Sequence, residues 1–492
     1  MLRSTIALLA LLALLVTGCA AAAPGSPAGS LPAGSLPAGS PAASPSTGPS
    51  GAASPHPIVV TTDMGMDDLV AIYLLLREPS VDIRAITIDG TGLVHCGPGL
   101  RNIRRILAAF GREDIPFACG RDTAGPGGTP FPDDWRASSD NMYGVVLPPV
   151  VGTEFPPAGA DLLAEAIDAA PAPVTIVALG PWTTLQDLFA AHPATLAKVA
   201  GIHAMAGAFD VPGNMDTPTI KPADGVEWNV GADPSAFAAV LALDVPVTFV
   251  PLDATDDVPV PWDIVERLAS DHAAAGADIT YETYVRSPYL AAAGSYWWDS
   301  AAAAAFVDPG LATWEDATIA ISERGHLSRD PAGRPARIAV AADGQRVTDA
   351  ILAGLRRGDP RPVPFTLAGA LSVTWDGTAC TVDDGAPTKA GMTTVTFHNR
   401  SAAAAGLLAA GVREPHTWAD AIAWIDAADM SNPELAIPDW IVQVASDGVY
   451  AEAGADATAA VDLPAGTVGV LCGTGEWPKL DFADGGTLTL GS

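Results

Sequence analysis

Short apolar runs alternate with longer apolar or amphipathic stretches between residues 58 and 358 of the chain. The short runs favour strands and the longer ones favour helices, because the two elements bury apolar residues over different lengths. The predicted strands are 58–62, 83–88, 115–119, 174–179, 202–207 and 245–250, and the predicted helices are 67–76, 100–110, 160–169, 234–243 and 296–307. This alternation indicates parallel strands joined by crossover helices, so the sequence predicts a doubly wound α/β domain with a mostly parallel sheet over residues 58–358.

The pattern changes over residues 361–492, where short alternating runs are separated by Gly, Asp and Pro. A period of two with frequent turn residues favours an antiparallel, all-β sandwich. The phrases VTFHN and DLPAGTVGVLCG loosely resemble cupredoxin-like or immunoglobulin-like sandwiches. Copper would require two His, a Cys and usually a Met close together, and the loop after Cys472 lacks them. This domain is therefore interpreted as a structural or attachment module.

Three carboxylates, Asp63, Asp67 and Asp68, follow the first predicted strand around a turn at Gly65. Ligands of open α/β sheets bind at the carboxyl ends of the strands, so these side chains are expected to converge on one small volume. They would repel one another unless a cation lay among them, and hard oxygen ligands suit Ca²⁺ or Mg²⁺ rather than zinc. The alternative is that Asp67 and Asp68 only complement the N-terminus of a helix.

Later strands also end in polar or turn-forming motifs. They are the turn 179–185, the segment 205–209, Asn214, the loop residues Glu227 and Asn229, the pair Asp233-Pro234, and Tyr296-Trp297-Trp298-Asp299 at a helix start. Each has an ordinary structural explanation, such as an N-cap for Asp233 or core packing for the two tryptophans.

Taken together and in order, these motifs resemble those of the nucleoside hydrolase family, of the inosine-uridine-preferring type, over about residues 58–358. The resemblance implies a Ca²⁺ cofactor held by Asp63, Asp68, Asp299 and the backbone carbonyl of Leu179. It also implies that the ion binds the attacking water, that Asp63 is the general base, and that Asp67 and Asp299 complete the catalytic set.

The resemblance further implies how a ribonucleoside would bind. Asp67 would hold the 2′-hydroxyl, Asn229 and Asp299 the neighbouring hydroxyls, and Asn214 with Glu227 the 5′ end. Trp298 stands where inosine-uridine-preferring members carry His, and the purine-specific members resemble this sequence in having Trp. This likeness implies purine ribonucleosides as the substrates. Indole stacks on a base but cannot protonate it, so departure of the base would be helped by stacking, with Trp135, Tyr143 or Trp228 on the other face of the base.

The chain departs from the family pattern at two strand ends. Thr61 stands where the family has its first Asp, which removes an acid behind the metal ligands. The family's Asn at the end of the second strand has no secure counterpart in residues 88–92, where Asp89 or Thr91 is expected to face the site. His95 lies just beyond this segment. It is expected to be a surface or supporting histidine rather than a catalytic one.

The first 57 residues carry no fold pattern. Residues 1–19 resemble a lipoprotein signal peptide with a lipobox, which implies lipid attachment at Cys19, export, and anchoring at the membrane outside the cytoplasm. Ordinary secretion is the alternative. Residues 20–57 are rich in Pro, Ala, Gly and Ser, so a disordered linker is predicted.

Charge and cysteine content narrow the partners and the compartment. The 56 acidic residues outnumber the 25 basic ones, so binding to nucleic acid is not expected. Four cysteines besides Cys19 allow three pairings in an oxidising compartment, and the most economical joins Cys96 with Cys119 and Cys380 with Cys472.

Two classes of function remain open at this point. The first is a ribonucleoside hydrolase, with pyrimidine preference as the alternative to purine preference. The second is a non-catalytic surface lipoprotein that binds nucleosides or sugars, because a fold does not guarantee its usual function. A homo-oligomer is compatible with either, and the sequence does not settle the assembly.

Overall fold

The structure is a computed structural model that describes residues 54–148, 150, 158–287, 290, 295–428, 438, 440–443, 449–476 and 479–491. The expected signal peptide, the lipid site at Cys19 and linker residues 20–53 lie outside the described residues. Within the described ranges, no helix is both long and apolar enough to cross a membrane.

The first domain alternates strands and helices. Its strands are β1 (His56–Thr62), β2 (Val81–Ile88), β3 (Phe117–Cys119), β4 (Val174–Ala178), β5 (Val199–Ala204), β6 (Val247–Phe249), β7 (Ala312–Ile321), β8 (Leu327–Arg329) and β9 (Arg334–Ala342). Its helices are α1 (Met66–Leu76), α2 (Cys96–Ala109), α3 (Asp133–Asp140), α4 (Gly159–Asp168), α5 (Thr183–Ala191), α6 (Trp228–Ala232), α7 (Pro234–Leu241), α8 (Leu252–Thr255), α9 (Ile264–Leu268), α10 (Ala275–Arg286), α11 (Trp298–Val307) and α12 (Gly344–Leu355).

These strands form one sheet of nine, in the order β3-β2-β1-β4-β5-β6-β9-β7-β8. The pairs from β3 through β9 are parallel, whereas β7 pairs antiparallel with both β8 and β9. The predicted mostly parallel α/β sheet is therefore confirmed, although β7, β8 and β9 were not among the predicted strands. The strand order reverses between β1 and β4, which opens a crevice at the carboxyl end of β1.

The central position of β1 in the sheet explains why neither face of its apolar run is polar. Ile58 and Val60 pack into the core layer that contains α1, α2, α10, α11 and α12, whereas Val59 packs into the opposite layer with α4, α5 and α7. A central parallel strand is covered by helices on both faces, so both sets of alternate residues are apolar. The sheet thereby fixes the position of Asp63 directly after β1.

The C-terminal region contains β10 (Gly369–Trp375), β11 (Cys380–Val382), β12 (Gly391–Asn399), β13 (Ala405–Val412), α13 (Trp418–Ala427), β14 (Ile441–Gln443), β15 (Val449–Ala451), β16 (Asp456–Leu463), β17 (Gly466–Glu476) and β18 (Lys479–Leu490). One sheet has the order β11-β10-β12-β16, and a second has the order β14-β13-β17-β18 with β15 also paired to β13. Buried residues from both sheets form one apolar cluster.

Two features of this region differ from the prediction. The β10–β12 pair is parallel, because β11 occupies one edge of β10 and the chain then crosses to the other edge before β12 begins. Helix α13 was also not predicted. The cupredoxin-like or immunoglobulin-like class stays a prediction.

The structure joins Cys96 to Cys119 and Cys380 to Cys472, the pairing favoured from the sequence. The first disulfide fastens the start of α2 to the end of β3. The second connects β11 in one C-terminal sheet with β17 in the other, so it ties the two sheets together.

Candidate active site

The turn between β1 and α1 is built around a residue with left-handed backbone. Met64 has φ of 58°, and its N–H donates to the hydroxyl of Thr62 over 3.0 Å. The same hydroxyl donates to Oδ1 of Asp68 over 2.6 Å, and the backbone N–H of Asp63 donates to that oxygen over 3.2 Å. The turn thus brings a carboxylate of α1 back against the end of β1.

A second helix start meets this turn. The N–H of Asp299, at the beginning of α11, donates to Oδ2 of Asp67 over 3.0 Å, and the hydroxyl of Ser300 donates to the carbonyl of Asp67 over 2.8 Å. Asp67, Asp68 and Asp299 each present a carboxylate oxygen within 4.8 Å of the others. The positive ends of two helices therefore face one group of three acids.

Burial and mutual repulsion shift these acids strongly. Loss of hydration and the charges of Asp63 and Asp67 raise the pKa of Asp68 well above its usual range. Loss of hydration raises the pKa of Asp67, and the same cause together with the neighbouring charges raises that of Asp299 well above its usual range. An arrangement that disfavours its own negative charge is suited to a cation.

The donor set fits a hard divalent cation. The carboxylates of Asp67, Asp68 and Asp299 converge, and Oδ1 of Asp299 is buried without a hydrogen-bond partner among the residues that the structure describes. A buried charged oxygen without a partner is costly, and a bound cation would satisfy it.

Asp63 lies beside this group rather than within it. Its Oδ2 accepts the N–H of Leu93 over 3.1 Å, and burial raises its pKa to about 6. The turn after β4 packs closely against Asp63, because a Cβ placed on Gly180 would lie 3.0 Å from the backbone nitrogen of Asp63. Leu179, the predicted carbonyl ligand, immediately precedes that glycine and is fully buried.

Asn229 and Glu227 organise the carboxyl ends of β4 and β5. The side-chain amide of Asn229 donates to the carbonyl oxygens of Leu179 and Met205, each over 3.1 Å. Glu227 caps α6 and accepts the N–H groups of Gly207, Asn229 and Val230 over 3.0, 2.8 and 3.2 Å. Burial raises the pKa of Glu227 to about 7.

Asn214 is tied to the same loop, since its Oδ1 accepts the N–H of Trp228 over 3.1 Å. Three of the predicted sugar-binding residues, Asn214, Glu227 and Asn229, thus lie together at the start of α6 and make hydrogen bonds with backbone groups. Their contacts to ribose stay predictions.

The tryptophan side chains that were predicted to stack on the base fall into two separate groups. Trp228 stacks on Phe131 with ring centroids 4.7 Å apart and lies 5.4 Å from Trp135, which is 46% exposed. Trp298 is half-buried against a separate apolar cluster that contains Met205. Its predicted stacking on a base stays a prediction.

The departures from the family pattern have clear positions. Thr61 is fully buried in β1, and Asp89, directly after the adjacent β2, is also fully buried and accepts the hydroxyl of Thr184. Burial and the charge of Asp63 raise the pKa of Asp89 well above its usual range. An acid behind the site is therefore present, but it comes from the neighbouring strand.

Thr91 and His95 face other partners. The hydroxyl of Thr91 lies 2.9 Å from that of Thr183, which donates to Asp233 over 2.8 Å. Nδ1 of His95 lies 2.8 Å from Oδ2 of Asp140.

Sequence reasoning did not single out Thr62, Ser139 or Ser300. All three hydroxyls fix the acidic turn, and that of Ser139 donates to the carbonyl of Met64 over 2.8 Å. Small hydroxyl residues are common at helix ends and on buried strands, so nothing in their local sequence marks them.

Fold and site together define an α/β protein of the doubly wound type, with an acidic crevice at the carboxyl edge of its sheet. Residues 58–349 match the model of the inosine-uridine preferring nucleoside hydrolase family. The chain belongs to this family.

Individual relatives agree with that assignment. The chain is 34% identical over 217 residues to the pyrimidine-specific ribonucleoside hydrolase RihA of Citrobacter koseri, covering 43% of this chain and 64% of that protein. It is 28% identical over 275 residues to probable uridine nucleosidase 2 of Arabidopsis thaliana, covering 54% of this chain and 82% of that protein. The chain thus spans less than two thirds of the first relative's length.

A solved structure shares the fold. The inosine-uridine preferring nucleoside hydrolase from Bacillus anthracis superposes with a TM-score of 0.53 at 25% sequence identity, covering 61% of this chain and 99% of that one. The C-terminal sheets lie beyond residue 349, where the match to the family model ends.

Proposed function

We propose that this protein hydrolyses the N-glycosidic bond of ribonucleosides to free base and ribose. The observation that carries the proposal is the group formed by half-buried Asp67 and buried Asp68 and Asp299 beside the carboxyl end of β1, with oxygens within 4.8 Å of one another. A protein that only binds sugars has no need to concentrate unpaired acids in this way, since burial of like charges is unfavourable.

The proposed cofactor is Ca²⁺, held by Asp63, Asp68, Asp299 and the carbonyl of Leu179. When bound, such an ion supplies positive charge that orients a water molecule and makes it more acidic. Two observations support a hard cation of this kind: the ligands are oxygen atoms, and buried Oδ1 of Asp299 has no hydrogen-bond partner in the described part of the chain.

The chain's own residues carry out the remaining steps. Asp63, held by the N–H of Leu93, accepts the proton of the attacking water. The ribosyl group becomes positively charged as its bond to the base breaks, and the neighbouring carboxylates stabilise that charge. Asp67 binds the 2′-hydroxyl, while Asn229 and Asp299 bind the adjacent hydroxyls.

Asn214 and Glu227 bind the 5′ end of the sugar. Both sit on the loop that leads into α6 and are already oriented by backbone hydrogen bonds. Oriented polar groups of this kind favour a bound sugar, because little further ordering is needed.

Purine nucleosides are the first candidate substrates, because Trp298 offers a stacking surface in place of an imidazole. Pyrimidine nucleosides are the second candidate, and the names of the Citrobacter koseri and Arabidopsis thaliana relatives favour them. The proposed location is outside the cytoplasm, with the protein anchored to the membrane by lipid on Cys19.

The test is release of base and ribose from inosine, adenosine, guanosine, uridine and cytidine, with added Ca²⁺ and after chelation. Asp63→Asn is compared with Asp161→Asn, which changes an exposed acid on α4. We expect cleavage by the wild type, loss of about 100-fold or more in kcat for Asp63→Asn, and normal activity for the control. Absence of cleavage of all five nucleosides by the wild type with Ca²⁺ would contradict the proposal.

A further inference from the structure

Helix α3 has a buried face that contacts both backbone segments around Asp63. Arg136 and Ser139 lie three residues apart on this helix, which places them on the same face, and they are 8% and 1% exposed. The side chain of each donates to a backbone carbonyl. One carbonyl belongs to the turn between β1 and α1, and the other belongs to residues 89–94 after β2, here called the β2 loop.

Ser139 holds the residue that directly follows Asp63. Its hydroxyl donates to the carbonyl of Met64 over 2.8 Å. Met64 has φ of 58°, a left-handed conformation that a residue with a Cβ adopts only where its surroundings enforce it. The direction in which the chain leaves Asp63 therefore depends on hydrogen bonds such as this one.

Arg136 holds the β2 loop, which binds Asp63 directly. Nη2 of Arg136 donates to the carbonyl of Gly90 over 2.9 Å. Further along the β2 loop, the N–H of Leu93 donates to Oδ2 of Asp63 over 3.1 Å, and the N–H of Val94 donates to the carbonyl of Asp63 over 3.0 Å. The β2 loop thus supplies two hydrogen bonds to Asp63, and Arg136 fixes the backbone just before them.

The β2 loop and Asp63 also pack together without free space. A Cβ placed on Gly92 would lie 2.1 Å from the Cβ of Asp63 and 2.3 Å from its Oδ2. Glycine alone permits so close an approach, because it has no Cβ. A shift of the β2 loop is therefore expected to move the carboxylate of Asp63 with it.

Helix α3 is itself held near both ends. Oδ1 of Asp140 accepts the backbone N–H of His95 over 2.8 Å, and the side-chain amide of Asn102 donates to the carbonyl of Asp140 over 3.0 Å. In the first turn of α3, the ring of Trp135 lies 5.4 Å from that of Trp228. A fixed helix orients the groups that it binds more precisely than a loop does.

We propose that Arg136 and Ser139 are positioning residues that hold Asp63 in place for proton transfer. This inference rests on the proposed function. Asp63 takes a proton from the attacking water, whose oxygen forms the new bond to C1′, and the electron pair of the C1′–N bond leaves with the base. A general base must lie within hydrogen-bond reach of the proton that it accepts, so a small displacement of Asp63 slows the reaction steeply.

The experiment measures kcat and KM of Arg136→Met and Ser139→Ala at saturating Ca²⁺. The substrate is whichever of inosine, adenosine, guanosine, uridine and cytidine the wild type cleaves fastest. We expect kcat to fall by about 10- to 100-fold in each variant with KM unchanged, because sugar binding is not disturbed. Arg136→Lys keeps a donor for the carbonyl of Gly90 and should recover most of the loss.

Matched controls are available on α3 and on the neighbouring α2. Ser138→Ala removes the adjacent hydroxyl, which donates to the carbonyl of Asp134 within α3 over 2.9 Å. Arg101→Met changes an exposed arginine of α2. Both should hydrolyse the nucleoside as the wild type does, and urea unfolding of every variant gives the fraction of folded protein in the assay.

The sharpest comparison repeats both substitutions in an Asp63→Asn protein. Residues that act through the carboxylate of Asp63 have no further effect on kcat once that carboxylate is gone. We therefore expect Arg136→Met and Ser139→Ala to leave the residual kcat of Asp63→Asn unchanged. Residues that only support the fold would lower kcat by the same factor in both backgrounds.

The outcomes separate this inference from the proposed hydrolysis. Unchanged kcat in Arg136→Met and Ser139→Ala, or losses that persist in full in Asp63→Asn, would overturn the positioning role alone. A wild type that cleaves none of the five nucleosides with Ca²⁺ would contradict the proposed hydrolysis and this inference with it. Ser139→Ala removes a single oxygen atom, so it tests the positioning role even where Arg136→Met does not fold.

Discussion

Asp68 is the most enclosed member of the acidic group, with 1% of its surface exposed. Its Oδ1 accepts from Thr62 and from the backbone of Asp63, and these two bonds require an oxygen but not a charge. The amide oxygen of asparagine would accept both. Asp68 is therefore the position at which charge can be removed with the least change of geometry.

We expect Asp68→Asn to stabilise the metal-free protein and to abolish stabilisation by Ca²⁺. The gain should be on the order of 2 kcal/mol, because asparagine avoids the cost of either charging or protonating a carboxyl group whose pKa is raised by burial and by the charges of Asp63 and Asp67. In the wild type, Ca²⁺ at about 100 times its dissociation constant should add about 2.7 kcal/mol. Urea unfolding with chelator and with Ca²⁺ measures both effects.

The exposed-acid variant Asp161→Asn is the control for Asp68→Asn and should retain the full response to Ca²⁺. A metal-free Asp68→Asn protein that is less stable than the wild type would show that the acids do not repel one another as described.

Tyr143 shows that local residue type does not always set backbone conformation. Tyrosine has no preference for left-handed φ, and its value of 52° is imposed by the contacts of neighbouring helices. The sequence places Tyr143 among candidate aromatic residues, but only the fold supplies the hydrogen bond that Ser287 donates to its carbonyl.

Helix starts do most of the work of arranging the site. α1 and α11 meet with their N-terminal ends at the acidic group, while Glu227 caps α6 and Asp233 caps α7. Motifs such as Asp233-Pro234 mark these starts in the sequence, so the predicted helices agree closely with α4, α7 and α11. The caps also carry contacts between helices, which local sequence does not reveal.

Asp233 joins several elements at once. Its carboxylate accepts from the N–H of Ala236, the hydroxyls of Ser235 and Thr183, and the N–H of Gly125, over 2.8 to 3.1 Å. Since Asp233 is fully buried, its truncation removes the side-chain acceptor that these four donors share.

We therefore expect Asp233→Ala to destabilise the protein by about 3 kcal/mol, more than an ordinary cap, which contributes about 1 kcal/mol. Asp343→Ala removes the exposed cap of α12, where Asp343 accepts the N–H of Arg346, and should cost about 1 kcal/mol. Urea unfolding of both variants compares them. Equal losses would mean that Asp233 acts only as a cap.

The two domains are joined by a buried ion-pair network. Arg361 is 3% exposed and pairs with Asp278 and with Glu282, the latter over 2.8 Å. Phe365 donates its N–H to Asp278 over 3.2 Å, and Met392 of β12 belongs to the core layer of the first domain. Residues 361–365 are thus packed against α10, and Ser287 at the end of this helix contacts Tyr143.

We expect Arg361→Met to destabilise the protein by about 3 kcal/mol, because it removes the buried counter-charge that Asp278 and Glu282 share. Asp278 then keeps His272 and Glu282 keeps Arg286 as ion-pair partners. Arg267→Met breaks a half-exposed pair with Asp263, whose N···O distance is 2.8 Å, and should cost no more than about 1 kcal/mol. Urea unfolding distinguishes the two. A small effect of Arg361→Met would mean that the C-terminal region is not energetically coupled to α10.

The sequence by itself determined the order and type of most elements of the first domain, because buried parallel strands and their crossover helices leave distinct apolar patterns. It also placed the acids Asp63, Asp67, Asp68 and Asp299 at element ends, where open α/β sheets bind their ligands. The favoured disulfide pairing followed from cysteine positions alone.

Only the tertiary structure decided how distant elements meet. It placed α11 against α1, Asp89 behind Thr61, strand β12 parallel to β10, and Tyr143 in left-handed backbone beside the end of α10. Each of these depends on residues far apart in the chain, whose contacts override local preference. Local patterns reflect burial and turn chemistry, whereas the shape and charge of a site arise where separate elements pack together.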